Sequence, residues 1–145
     1  MTGKVSTITG LEQGRAQYAY GCAEDGQKIE KRKEYKAYVK NIPMLIKTNG
    51  LGAAFAFIDS KKKDDQTKPG YAYKMIYEQV DRWLQSENKK YLLATADPSK
   101  RDLAARIVSL SSPDYRAVTN EVMALFMWLR RFAEALIEGG AEDGR

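Results

Sequence analysis

Apolar residues recur every three or four positions along almost the whole chain, which is the spacing of one face of an α-helix. Thr9 or Gly10 opens the first such run. It reads Leu11, Arg15, Tyr18, Ala19 and Cys22, and Gly26 closes it. A second run covers about Lys28 to Thr48. Pro43 lies inside it, removes one backbone donor and predicts a kink. Asn49-Gly50 then supplies a C-terminal stop. Leu51 to Ile58 mixes small residues (Gly52, Ala53, Ala54, Ala56) with Phe55, Phe57 and Ile58, the pattern of a short, largely buried helix. Tyr73, Ile76, Tyr77, Val80, Trp83 and Leu84 predict an amphipathic helix from about Tyr71 to Ser86. Asp97-Pro98 combines an N-cap residue with proline at the first helical position, and opens a helix carrying Leu103, Ile107 and Leu110. Ser112-Pro113 repeats that signal before the longest pattern, Tyr115 to Leu136, which Gly139-Gly140 ends.

No segment alternates as a strand bounded by hairpin turns, and no repeat recurs at a fixed period. The expected fold is all-α, a compact single-domain bundle of about five to six helices. The helical domain spans residues 10–138. Residues 1–9 read as a flexible N-terminus and 139–145 as a flexible tail. Residues 59–70 carry Lys61-Lys62-Lys63, Asp64-Asp65 and a Pro69-Gly70 turn, and read as a mobile charged loop.

Charge changes this picture in one place. Between Lys28 and Lys47 stand seven basic residues (Lys28, Lys31, Arg32, Lys33, Lys36, Lys40, Lys47) and two acidic ones (Glu30, Glu34). That segment accounts for the whole net charge of +5; elsewhere basic and acidic residues balance. At about 100° per residue, Lys33, Lys36, Lys40 and Lys47 share one narrow face. Tyr35, Tyr38, Val39, Ile42, Leu45 and Ile46 share the opposite one. Such a helix can be merely solvated on its lysine side, or it can present a line of charge to the repeating phosphates of a polyanion.

The chain of 145 residues is one domain by size, and 43% hydrophobic residues fit a folded protein. One cysteine, Cys22, cannot close an internal disulfide, which fits a reducing cytoplasm. No signal-peptide core and no stretch near ~20 apolar residues is present, so a soluble cytoplasmic protein with no membrane association is expected. Histidine is absent. That removes the commonest general base, the commonest metal ligand and every Ser-His or Cys-His nucleophile, and no metal or other cofactor is expected.

The remaining motifs favour structural readings. Ser60-Lys61-Lys62-Lys63 matches a Ser-x-x-Lys spacing but sits in a charged loop with no companion motif. The adjacent carboxylates Glu24-Asp25, Asp64-Asp65 and Glu142-Asp143 lie in turns or the tail. Asn49-Gly50-Leu51-Gly52 lacks a phosphate-loop lysine and reads as a cap and a tight turn. Of nine tyrosines most occupy apolar helical positions, with Tyr20 and Tyr71 the candidates for exposure. Arg130 and Arg131 flank apolar Leu129 and Phe132, and suit interface ion pairs or phosphate contact equally.

Several segments taken together resemble a known family. Arg15-Ala16-Gln17-Tyr18-Ala19-Tyr20 opens the first helix. The run Tyr35 to Gly52 follows, with Pro43-Met44-Leu45-Ile46-Lys47-Thr48-Asn49-Gly50-Leu51-Gly52 its most specific part, and then Ala54-Phe55-Ala56-Phe57. Tyr115-Arg116-Ala117-Val118-Thr119-Asn120-Glu121-Val122 and Trp128-Leu129-Arg130-Arg131-Phe132-Ala133 stand near the end. In order and spacing, from Arg15 to Ala133, they resemble the small all-helical subunit of the type III-B CRISPR RNA-silencing effector, the Cmr complex.

The resemblance implies a non-catalytic subunit. Copies would stack into a short inner filament beside the backbone subunits that carry the guide RNA, lining the path of the target RNA. Its partners would be the backbone subunit, the large subunit, target RNA or the guide–target duplex, and further copies of itself. Cleavage would belong to the backbone subunit, and signalling or DNA chemistry to the large one. Nucleic-acid contact transfers to the matching positions Arg15, Lys36, Lys40, Lys47, Asn49, Arg130 and Arg131; Lys33 joins them from the stripe alone. Lys61 to Lys68 is no part of the motif and is expected to be a solvated loop. Two other readings stand beside this one. One is a helical interaction module whose basic face docks an acidic protein without binding RNA. The other is a nuclease using Asp64 and Asp65 with Mg²⁺, disfavoured by their loop placement.

Overall fold

A computed structural model describes the backbone of residues 4–139 and the side chains of residues 10–139. The N-terminal assignment of flexibility to residues 1–3, and that of the tail to residues 140–145, lie outside the described residues. Among the described residues the fold is all-helical: α1 (Lys4–Lys28), α2 (Arg32–Asn49), α3 (Leu51–Lys61), α4 (Gly70–Leu84), a single 3₁₀ turn (Lys90–Leu93), α5 (Leu103–Val108) and α6 (Ser112–Leu136). The two longest helices, α1 and α6, pack along each other; α2 lies against both and also touches α3 and α4. The stripe positions of α2 fill the centre: Tyr35, Val39, Ile42 and Ile46 are buried, and Tyr38 and Leu45 half-buried. They meet Phe55 and Ile58 of α3, Ile76 and Val80 of α4, and Val122, Leu125, Phe126 and Leu129 of α6 in one continuous core.

Among the described residues, every buried side-chain nitrogen and oxygen has a hydrogen-bond partner. Tyr35 donates its hydroxyl to Gln79 Oε1 (2.7 Å), and Gln79 Nε2 donates to the Cys22 carbonyl (3.1 Å). Tyr18 donates to the Gln79 carbonyl (2.6 Å). One amide on α4 thereby joins α1, α2 and α4. Burial pushes the Tyr35 hydroxyl well above its ordinary pKa and the Cys22 thiol up to about 12, so both stay neutral at physiological pH.

Three local expectations are corrected. Helix α1 passes through Gly26 to Lys28, because Gly26 is a packing position rather than a stop. A Cβ built there would overlap the buried Tyr35 ring. We expect Gly26→Ala to cost about 1–3 kcal/mol by overpacking and to lower the melting temperature by several degrees. An unchanged melt would show that the ring has room to move.

Asp97-Pro98 does not start a helix. Asp97 Oδ1 instead accepts from Ser99 N (3.0 Å) and Ser99 Oγ (2.8 Å), closing a turn. Helix α5 begins only at Leu103, where Tyr77 organises the start. Its hydroxyl donates to Asp102 Oδ1 (2.6 Å) and accepts from the Ala104 N–H (3.0 Å). The third correction is Phe57, which is 41% exposed rather than core, since it faces away from Phe55 and Ile58.

Gly50 needs its glycine, with φ at +92° where α2 gives way to α3. Tyr115 of α6 accepts the first-turn N–H of Gly52 (2.8 Å), fixing the start of α3. Helix α2 runs without interruption through Pro43. The charged connection after α3 is held by the Lys63 N–H donating to the Gly70 carbonyl and by Asp65 accepting from Thr67.

Candidate nucleic-acid interface

The basic stripe of α2 is divided by the fold. Lys33 and Lys47 are exposed and Lys40 half-exposed. Lys36 is only 6% exposed. The chain leaving α6 crosses over it, and its ammonium donates to the carbonyls of Ile137 (2.8 Å) and Gly139 (3.0 Å). Those oxygens lie just past the last turn of α6, where the Leu136 carbonyl also accepts from Gln27 Nε2 (3.0 Å). The expectation that Lys36 faces outward is therefore overturned: its charge closes the C-terminal end of α6. We expect Lys36→Met to keep most of the apolar stem, lose the charge-assisted bonds and destabilise the fold by about 1–3 kcal/mol. A thermal melt checks this, and an unaltered melting temperature would return Lys36 to the surface group.

Arg15 is also directed inward. Its Nε and Nη2 donate to Glu121 Oε2 and Oε1, each at 3.0 Å, with Glu12 at 3.6 Å from Nη1. Glu121 is 6% exposed and also accepts from Trp83 Nε1 (2.9 Å) and Lys89 Nζ (3.2 Å). The Glu121 bonds come first in holding the Arg15 guanidinium above its ordinary pKa. Burial alone would push the Glu121 carboxyl up, but the bonds from Arg15 and Trp83 and the charges of Lys89 and Arg15 outweigh it and hold it down. One signal for this network is legible in hindsight. Glu121 sits between Val118, Val122 and Leu125 in the apolar stripe of α6, where a charge must be paired. Lys89, in a polar run, gives no such signal.

The other basic residues converge. Lys40 and Lys47 are seven residues apart on α2, two turns along one face. Asn120, Met123, Met127, Arg130 and Glu134 follow one another at helical spacing on the outer face of α6. Where the two helices lie side by side they enclose an open groove of ≈840 Å³, lined by these residues with Pro43, Ala124 and Arg131. Four cations face one carboxylate there. Glu134 lies 3.9 Å from Lys40 Nζ, too far for a strong pair. Lys47, Arg130 and Arg131 enter no salt bridge among the described residues. The floor is apolar, with Met127 57% exposed. Lys33 is a turn from Lys36 toward the N-terminal end of α2, and Asn49 is exposed at its C-terminal end, in a separate pocket. The contribution of Asn120, Met123 and Met127 was missed because nothing in the pattern of α6 alone shows that α2 lies beside them.

No group of three His, Cys, Asp or Glu residues able to hold a metal exists among the described residues. Of those residues, no helix is long and apolar enough to cross a membrane. Fold and surface together define a small, all-helical, single-domain protein with a basic groove between two of its helices. Comparison with known proteins gives that class a family. Residues 11–136 match the model of the CRISPR-associated protein family Cas_Cmr5. The CRISPR system Cmr subunit Cmr5 of Thermus thermophilus is 32% identical over 123 residues, which is 85% of this chain and 92% of the relative. The crystal structure of a CRISPR-associated Cmr5 family protein from the same organism superposes with a TM-score of 0.67 at 30% identity, covering 88% of this chain and 96% of that one. The chain belongs to the Cmr5 family, that of the Cmr5 subunit of the type III-B CRISPR Cmr complex.

Proposed function

We propose that this chain is a non-catalytic subunit of a cytoplasmic type III-B effector that contacts target RNA and helps to position it. Copies stack head-to-tail as an inner filament beside the backbone and large subunits. The observation that carries the reading is the groove, which gathers Lys40, Lys47, Arg130 and Arg131 from two helices onto one surface. Lys33 extends that surface along α2 and Asn49 stands at its far end. Such cations bind phosphates without reading sequence, which suits a subunit that must accept any target. Arg15 and Lys36 take no part, since their charges are committed inside the fold.

The test is charge reversal, Lys40→Glu with Lys47→Glu, in the assembled complex. Target-RNA retention should fall and its salt dependence weaken. Unchanged retention and slope would remove the groove from the RNA path. A second reading draws on the exposed Met127 and the half-buried Pro43 in the groove, which suit the apolar face of an acidic helix from a protein partner. In that case the same variant loses assembly while the complex that does form keeps its RNA.

A further inference from the structure

The basic surface does not end at the crest of α2. Lys40, Pro43, Lys47 and Arg130 share a depression with Asn41 and Met44. Asn41 and Met44 also line the next pocket, ≈450 Å³, which opens on the other side of the helix toward α3 and α4. This second pocket is aromatic. The rings of Tyr38 and Tyr73 stack at 3.8 Å and 10°, and Phe57 stands edge-on to Tyr73 at 6.0 Å and 89°. Met44 at its lip is 65% exposed and Phe57 41% exposed, both large apolar surfaces left facing water.

We propose that this pocket receives an unpaired nucleobase of an RNA strand whose phosphates lie on the neighbouring cations. The proposal rests on the RNA-path reading of the groove and extends it from phosphate to base. Three features favour that occupant. Aromatic and thioether surface gives a base a stacking partner whatever its identity. The amides of Asn41 and Asn49 and the hydroxyl of Thr48 line the same space. Each carries donor and acceptor capacity suited to base edges. Charge flanks the pocket on both sides: Lys40, Lys47 and Arg130 across the crest, and Lys61, whose Nζ stands 5.5 Å over the Phe57 ring. No carboxylate is among the residues lining it. A strand crossing α2 can therefore leave phosphates on either side of a base held between Met44, Phe57 and the tyrosine pair. Such a site adds affinity for single-stranded over paired RNA without selecting sequence.

The test compares assembled complexes that carry the wild-type chain, Phe57→Ala or Met44→Ala. Both side chains are exposed enough for the fold to tolerate them, which a thermal melt verifies. Binding is measured to a short oligouridine and to an abasic strand of equal length. Loss of one stacked base should weaken oligouridine binding by roughly tenfold in Phe57→Ala, leave abasic binding unchanged and leave the salt slope unchanged. A strand carrying 4-thiouridine should crosslink to the Tyr38, Tyr73 and Phe57 corner.

Equal wild-type affinity for both strands, or no effect of either variant on oligouridine, overturns the pocket. In that case Lys40→Glu with Lys47→Glu still weakens binding if the groove reading is sound. Failure of that reversal to weaken binding by the assembled complex overturns pocket and groove together. Loss of complex assembly in Phe57→Ala, with oligouridine binding intact, would make the pocket a protein contact instead.

Discussion

Replacing Glu121 with alanine is expected to be the most damaging single change in the described core. The carboxylate is the common acceptor for Arg15 on α1, Trp83 at the end of α4 and Lys89 ahead of the 3₁₀ turn. Lys89 itself is 3% exposed, so removing its partner strands an ammonium where water cannot reach it. Breaking a buried pair in this way costs about 3–5 kcal/mol. At ~2–4 °C per kcal/mol for a domain of this size, the melting temperature should fall by roughly 10 °C or more.

Glu121→Gln separates charge from shape. It can still accept from Trp83 while Lys89 and Arg15 lose their counter-ion, so its cost should be smaller. It also carries a pH signature. The folded carboxyl is held below its ordinary value. Its contribution to stability is then fully present above the unfolded value of about 4.3 and is lost as pH falls through the lower folded value. Acid titration of the wild type should therefore show a loss of stability below about pH 4 that is reduced in Glu121→Gln. Coincident acid profiles would show that the carboxylate is not preferentially stabilised in the fold.

The second large effect concerns RNA. With Lys40, Lys47, Arg130 and Arg131 all changed to glutamate, four potential phosphate contacts are lost. Single strands release counter-ions with a slope near −0.7 per phosphate, so log affinity against log salt should flatten by roughly three units. The loss should be largest at low salt and shrink as salt rises. Lys36→Met makes the contrast informative: it should lower the melting temperature and leave the salt slope alone, although a helical wheel places it on the same stripe. If instead Lys36→Met flattens the slope while the groove variant does not, the RNA surface lies elsewhere on α2. Because each groove cation reaches solvent from a formed helix, the four-fold variant should retain its helical circular dichroism.

Helix periodicity alone determined most of the architecture. The six runs of apolar spacing correspond to the helices, because burial of one face is a local, repeating requirement that each segment meets by itself. It also revealed the concentration of charge on α2, and the ordered segments from Arg15 to Ala133 were enough to resemble the family. Which charges reach solvent was not legible, because that depends on what crosses over them. Lys36 and Lys40 occupy nearly equivalent positions on the wheel, yet the carbonyls leaving α6 claim the first and leave the second in the groove. Arg15, a nucleic-acid contact by resemblance, is instead held by Glu121, 106 residues away. Arg130 and Arg131 became part of one site with Lys40 and Lys47 only when α6 was laid beside α2. A helix face is set by neighbours three and four residues away, which the chain order contains. A groove, a buried ion cluster and a capped helix end are made by residues far apart in the chain, and only the packing of the helices decides them.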